Sequence, residues 1–145
     1  MIARWRRAGA NAEGGYVAAE LALGVGLLVF PVAMLVLTLP TWSERQSAAR
    51  AIVREAARTV AAEGECDTDA ARRVSSTMAA NVGLRGGTID VALDCPAGRR
   101  LLRGGTVTAS VTVTMPAVDI PGIAEVGAWS WTAHHTEPVD QYRSF

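Results

Sequence analysis

One carboxylate, that of Glu20, stands inside a long apolar stretch of this sequence. Between Gly15 and Glu44 no other residue carries a charge. A carboxylate at the centre of a membrane helix costs roughly 2.5 to 3.5 kcal/mol, and less near the lipid headgroups. Either this side chain reaches the headgroups, or it pairs with a cation of another subunit. The simplest such cation is a free α-amine at the start of a neighbouring apolar helix.

The residues before Glu20 indicate how such an amine would arise. Residues 1–15 form a short basic leader that ends in Gly15, and Glu20 lies five positions after that glycine. This arrangement resembles the processing site of type IV prepilins and pseudopilins. In that family the leader is removed after a Gly, and Glu is the fifth residue of the mature chain. The resemblance implies cleavage between Gly15 and Tyr16.

Residues 16–40 are predicted to form a transmembrane helix. The apolar run of residues 16–39 would be about 36 Å long as a helix, against a hydrocarbon layer of about 30 Å. A cleaved secretory signal has a shorter apolar region, followed by a small-residue cleavage site. The sequence "TLPTWSERQ" after the run offers no such site. We therefore expect a retained helix in contact with membrane lipid.

The two cysteines, Cys66 and Cys95, form the only intrachain disulfide available to the chain. Closing this loop of roughly 30 residues would stabilise the fold by about 3 to 4 kcal/mol. Two buried free thiols are the alternative. Arginines flank the apolar run on both sides, so they do not set its orientation. Because a disulfide persists in an oxidising compartment, we expect a single-pass protein of the cytoplasmic membrane, with a cytoplasmic N-terminus and an extracytoplasmic domain at residues 41–145.

Two features of the apolar run bear on how the helix packs. Ala18, Ala22 and Gly26 recur at every fourth position and form a ridge of small residues suited to close helix contact in lipid. Chance is an equal explanation, because Ala is common throughout the chain. Pro31 removes one backbone hydrogen bond and predicts a kink at mid-span.

The residues after Pro40 predict that the helix continues as an amphipathic helix up to Gly64. Its apolar stripe consists of Ala49, Ile52, Val53, Ala56 and Val60. Arg50, Arg54 and Arg58 lie on the opposite side, either as a solvated face or as a contact ridge for another subunit. A second helix is expected to start at Asp67 or Thr68. Its predicted apolar face consists of Ala71, Val74, Met78 and Val82.

Three later segments alternate between apolar and polar residues, as half-buried strands do. They are "TIDVALDC", "TVTASVTVTM" and "AWSWTAHHTE". The predicted fold class is therefore α+β, with a long N-terminal helix packed on a small antiparallel three-stranded sheet, as in pilins. Trp129 and Trp131 share one face and are expected to join the core. Two Arg-Gly-Gly sequences, at 85–87 and 103–105, are expected to be turns before strands.

The sequence offers little for other kinds of chemistry. It contains no nucleophile elbow, zinc-protease motif or phosphate-binding loop. The neighbours His134 and His135 should point to opposite faces of a strand, which makes them a poor metal pair. The formal net charge is zero, so bulk electrostatics do not favour nucleic acid. We expect no enzymatic activity, catalytic residue, metal, cofactor, small-molecule substrate or nucleic-acid partner.

A more specific resemblance joins the apolar run to the helix that follows it. The sequences "GGYVAAELALGVGLLVFPVAMLVL" and "AARAIVREAARTVAA" resemble the TadE-like proteins of tight-adherence (Tad/Flp) pilus systems. Those proteins share the Gly and Glu pair, a mid-span Pro and an "AREAAR"-type helix. The segment from "VTVTMPAVDIPG" to the C-terminus resembles the last strands of actinobacterial members. The likeness covers most of residues 14–145 and departs from the family at Leu21, where an aromatic residue is usual.

The resemblance implies a minor pilin or pseudopilin that helps to assemble a surface pilus of the type IV class. Its partners would be a prepilin peptidase, other pilins and the assembly platform proteins of the membrane. Glu20 would pair with the new α-amine of Tyr16 on the same or an adjacent subunit. Two alternatives remain at this point. The first is an unprocessed, membrane-anchored extracytoplasmic binding domain. The second is a pseudopilin of a type II secretion machine.

Overall fold

The computed structural model describes residues 12–84, 89–95, 98–120 and 122–142, with side chains from Tyr16 onward. Two helices precede three strands. They are α1 (Ala12–Glu63), α2 (Thr68–Asn81), β1 (Ile89–Asp94), β2 (Thr106–Ile120) and β3 (Ala124–Pro138). The protein is therefore α+β, with one long apolar helix and a small antiparallel sheet, and the predicted fold class is confirmed.

Helix α1 is 52 residues long and passes through Pro31 and Pro40 without interruption. Its continuity from the apolar run into the amphipathic part confirms the predicted long helix. The helix ends where the sequence predicts, because Gly64 adopts a φ of 75°, a left-handed conformation that favours glycine at a helix C-terminus. The kink at Pro31 stays a prediction.

Helix α2 begins as expected, and its buried face agrees in part with the predicted one, since Ala71 is buried and Met78 packs against the core. Asp67 caps it, and the Asp67 carboxylate accepts hydrogen bonds from the N–H groups of Asp69 and Ala70 at 2.8 and 3.1 Å. Its buried residues are Ala70, Ala71, Ser75 and Ala79. The predicted face was wrong at Val82, which is 55% exposed. Val82 is the C-cap residue, whose N–H turns back to the Met78 carbonyl, so it lies beyond the turns that pack against the core.

The sheet has the order β1-β2-β3, and both strand pairs are antiparallel. Residues of β2 that face the core are fully buried and alternate with more exposed ones, as predicted. They are Val107, Ala109, Val111, Val113 and Met115. All five residues of the predicted α1 stripe are buried in the same core. Apolar burial between α1 and β2 therefore holds the head on the second half of α1.

A disulfide joins Cys66, in the turn between α1 and α2, to Cys95 at the end of β1, with 6.2 Å between the two Cα atoms. The predicted bond is confirmed, and the alternative of free thiols is wrong. Nearby, the Cys66 N–H donates to the Arg99 carbonyl. The Arg-Gly-Gly at 103–105 forms the predicted turn, with Gly104 at a φ of 70°. The copy at 85–87 lies outside the described residues.

Candidate functional site

The candidate site is the first half of α1, which the head leaves uncovered. Its large side chains are mostly exposed, for example Tyr16 at 73%, Leu21 at 68% and Phe30 at 65%. From Ala49 onward one face of the same helix is fully buried in the core. Within the described residues, one helix is long and apolar enough to cross a membrane, and this is α1. Its length and apolar surface are compatible with single-pass anchoring.

Glu20 lies on this uncovered surface. The Glu20 side chain is exposed and borders a shallow groove along the helix, formed with Val17, Leu21, Gly24 and neighbouring residues. Among the described residues, none forms an ion pair with it. Gly24 lies one turn after Glu20, and a Cβ built on Gly24 would meet nothing within 4 Å. A second helix could therefore approach closely beside the carboxylate.

The ridge of small residues lies on the other side of the helix from Glu20. At about 100° per residue, Ala18 and Ala22 are rotated by roughly 160° to 200° from Glu20. Ala18, Ala22 and Gly26 are all exposed, and a Cβ on Gly26 would meet no atom within 4 Å. The apolar half of α1 thus offers two opposite surfaces for neighbouring helices, one with the carboxylate and one with the ridge.

The expected cleavage position lies in the first turns of α1. The helix begins at Ala12, so the Gly15–Tyr16 bond falls within it. The sequence places Gly14 and Gly15 together here. Glycine costs a helix interior about 1 kcal/mol relative to Ala, so this pair of glycines weakens the helix at the expected cleavage position.

Polar contacts attach the sheet to α1 directly after the apolar run. The Thr41 hydroxyl donates to the Asp119 carboxylate at 2.6 Å, and Trp42 Nε1 donates to the Pro116 carbonyl at 2.7 Å. One turn further on, Arg45 donates to the Thr114 carbonyl at 3.0 Å. Sequence reasoning missed these contacts. The signal was present, because polar residues follow the apolar run at positions that share one face of the helix.

Arg45 also forms an ion pair with Glu125. Its guanidinium lies 2.5 Å from the Glu125 carboxylate at the start of β3, and its side chain is 16% exposed. The Trp42 indole meets the Trp129 indole edge to face. These contacts fix the β2–β3 hairpin on the same level of α1 at which the apolar run ends.

The structure bears on two further predictions, the row of arginines on α1 and the two tryptophans of β3. Arg50, Arg54 and Arg58 are all exposed. The Arg50 guanidinium lies over the Trp131 ring, 5.4 Å from its centroid, where a cation–π contact contributes about 0.5 to 1 kcal/mol at an exposed site. Trp131 packs against the core as expected, whereas Trp129 stays 39% exposed. Whether the row contacts another subunit stays a prediction.

No metal-binding group of three His, Cys, Asp or Glu side chains occurs among the residues that the structure describes. His135 is half-buried and lies 3.0 Å from Glu137 on the same face of β3, while His134 is exposed. The predicted opposite orientation of the two histidines is confirmed.

Comparison of the chain with protein-family models, with characterised proteins and with solved structures finds no match. Function is therefore inferred from the residues of the apolar run, from the geometry of α1 and from the disulfide-linked head.

Proposed function

We propose that this protein is a minor pilin or pseudopilin of a tight-adherence (Flp-type) surface pilus. In this proposal, a prepilin peptidase removes the leader at Gly15–Tyr16, and α1 stays in the cytoplasmic membrane with the head outside. The apolar half of α1 then packs beside the helices of other pilins. The carrying observation is that Glu20, the only charged residue between Tyr16 and Pro40, is exposed among apolar side chains and has no ion-pair partner within the described chain.

The energetics support a role for Glu20 between subunits. An unpaired carboxylate in lipid is unfavourable by a few kcal/mol, and an ion pair with an α-amine would offset that cost. Processing at Gly15–Tyr16 would create a new amine on Tyr16. Along the helix axis this amine would be only about 6 Å from the level of Glu20, because the two residues are four positions apart. The groove beside Glu20, with Gly24 at its floor, would admit a neighbouring helix closely enough for this pairing.

The head supports an extracytoplasmic location. The Cys66–Cys95 disulfide is typical of proteins that fold in an oxidising compartment. Both cysteines follow α1's apolar run in the chain, so the head that they cross-link would lie outside the cytoplasm. The head is attached only to the second half of α1, which leaves the first half free to associate with partner helices.

The test is the substitution Glu20→Gln, which removes the charge and keeps the shape of the side chain. The variant is expressed in a deletion strain of the native host, and membrane fractionation and electron microscopy measure insertion and the number of surface pili. We expect normal insertion with far fewer pili. Glu44→Gln is the matched control, because Glu44 is an exposed acid of α1 beyond the apolar run. Normal piliation by Glu20→Gln would contradict the role of Glu20 in assembly.

A further inference from the structure

The exposed apolar residues of the head are concentrated at one end of it. Among the described residues outside α1, six large apolar side chains are exposed: Val82, Leu102, Ile123, Val126, Trp129 and Tyr142. Three of them, Ile123, Val126 and Trp129, lie at or near the turn that joins β2 to β3. A fourth, Val82, lies at the end of α2. Ile123, between β2 and β3, is 80% exposed.

The contacts with α1 show which way this end of the head points. Along β2, Thr114 is bonded to Arg45, Pro116 to Trp42 and Asp119 to Thr41. Higher numbers on β2 therefore correspond to lower numbers on α1. The hairpin runs down α1 towards its apolar half, and the residues beyond Asp119 are the part of the head nearest to it.

The burial of Thr38 extends this path by another turn. Thr38 is 1% exposed, whereas its neighbours Leu37 and Leu39 are 45% and 47% exposed. Thr38 lies three residues before Thr41, on the face of α1 to which Asp119 is bonded. We attribute its burial to the β2–β3 hairpin, which therefore reaches the last turn of the apolar run.

This level of α1 coincides with the lipid headgroup layer if α1 crosses a membrane. A bilayer with its headgroups is about 40 to 45 Å thick, which corresponds to about 27 to 30 helical residues. Counted from Tyr16, that length ends between Trp42 and Arg45. The Trp42 and Trp129 pair lies in the same layer, and tryptophans are enriched at membrane–water interfaces.

Charge at the hairpin end is compatible with contact to lipid. The two nearest carboxylates both have partners on α1, because Glu125 pairs with Arg45 and Asp119 accepts a hydrogen bond from Thr41. Beyond them the described residues of the hairpin end, Ile120, Gly122, Ile123 and Ala124, carry no charge. Inserting Ile123 would bury an apolar side chain that otherwise stays in water, and such burial is favourable.

From these observations we propose that the β2–β3 hairpin end rests on the outer lipid surface, with Ile123 inserted among the headgroups. The head would then be held against the membrane at two points, through α1 and through the hairpin. The proposal rests on α1 spanning the membrane, which is part of the proposed function, but it does not depend on leader cleavage or on Glu20.

Site-directed spin labelling of the full chain, in lipid discs that hold one copy each, tests this contact. Nitroxide labels are placed in three separate variants, Ile123→Cys, Leu102→Cys and Val29→Cys, with the Cys66–Cys95 disulfide kept intact. The discs contain phosphatidylcholine and phosphatidylglycerol. Collision of each label with oxygen, which enters lipid, and with a nickel chelate, which stays in water, reports its depth. Near-UV circular dichroism of each variant checks that the head is folded.

We expect the Val29 label to be shielded from nickel, the Leu102 label to be freely accessible, and the Ile123 label to be several-fold less accessible than the Leu102 label. Equal accessibility of Ile123 and Leu102 with Val29 shielded would overturn the hairpin contact and leave the membrane span in place. An accessible Val29 label would overturn the span and the contact together. Shielding of Ile123 only in discs that hold two copies would also overturn the proposal, because a second protein and not lipid would cover the residue.

Discussion

The indole of Trp42 on α1 meets the indole of Trp129 on β3 edge to face, with 5.9 Å between the ring centroids. Trp42 Nε1 donates to the Pro116 carbonyl of β2. One side chain of α1 therefore holds both strands of the hairpin, directly after the apolar run. Trp42 therefore helps to fix the position of the head along α1.

Removing the Trp42 contacts in two steps should separate their effects. Trp42→Phe keeps an aromatic ring but loses the hydrogen bond, and should lower the free energy of unfolding of the head by about 1 kcal/mol. Trp42→Ala also removes the ring and should lower it by about 3 kcal/mol. Chemical denaturation in detergent micelles, followed by near-UV circular dichroism, measures both values. Equal stability of Trp42→Ala and wild type would contradict the assigned role of the pair.

The N-cap of α2 should make the head sensitive to acid. Hydrogen bonds from the N–H groups of Ala70 and then Asp69 hold the pKa of the Asp67 carboxyl below its ordinary value of 3.8, and the charge of Arg73 acts in the same direction. A carboxyl whose pKa is lower in the folded state stabilises the fold above the pKa of the unfolded chain. That contribution is lost as the pH falls through the folded-state pKa.

We therefore expect the stability of the wild-type head to fall below pH 3.8 more steeply than that of Asp67→Asn. The amide keeps an oxygen that accepts the capping hydrogen bonds but does not titrate. Denaturant titrations at a series of acidic pH values measure the two slopes. Parallel slopes would show that the Asp67 charge contributes nothing.

Ser75 offers a substitution that should stabilise the head. It is fully buried in α2, and its hydroxyl has no hydrogen-bond partner within the described part of the protein. Ser75→Ala removes this polar atom and introduces a better helix former, so the free energy of unfolding should rise by about 1 to 2 kcal/mol.

Ser76→Ala is the matched control, because Ser76 is the next residue of α2, is exposed and donates to the Arg73 carbonyl at 2.9 Å. Helix propensity alone should raise its stability by no more than about 0.5 kcal/mol. Thermal and denaturant unfolding of both variants measures the difference. A less stable Ser75→Ala protein would mean that the hydroxyl is satisfied in solution.

Local periodicity predicted most of the fold. The stripe with Ile52 and Val60 on α1 and the alternation around Val111 on β2 are both consequences of burying one face, and both were correct. The face of α2 was predicted less well, because Val82 fits the apolar period but lies at the helix end. Small residues such as Ala79 form the contact there instead.

The attachment of the hairpin could not be predicted from periodicity. Thr41 and Asp119 are separated by 78 positions, and their contact depends on how the sheet lies on α1. The sequence alone identified Glu20 as a candidate site residue, because its charge interrupts an apolar run. The resemblance also proposes its partner, the α-amine of Tyr16 on the same or an adjacent subunit, but that pairing stays a prediction because a single chain that still carries its leader does not contain it.

Leader removal is the step on which the account of Glu20 depends, because it creates the α-amine of Tyr16. The direct measurement is the intact mass and N-terminal sequence of the protein isolated from membranes of its native host. The account predicts a chain that begins at Tyr16. A chain that still begins at Met1 would contradict it, and an unprocessed, membrane-anchored extracytoplasmic domain would then be the better description.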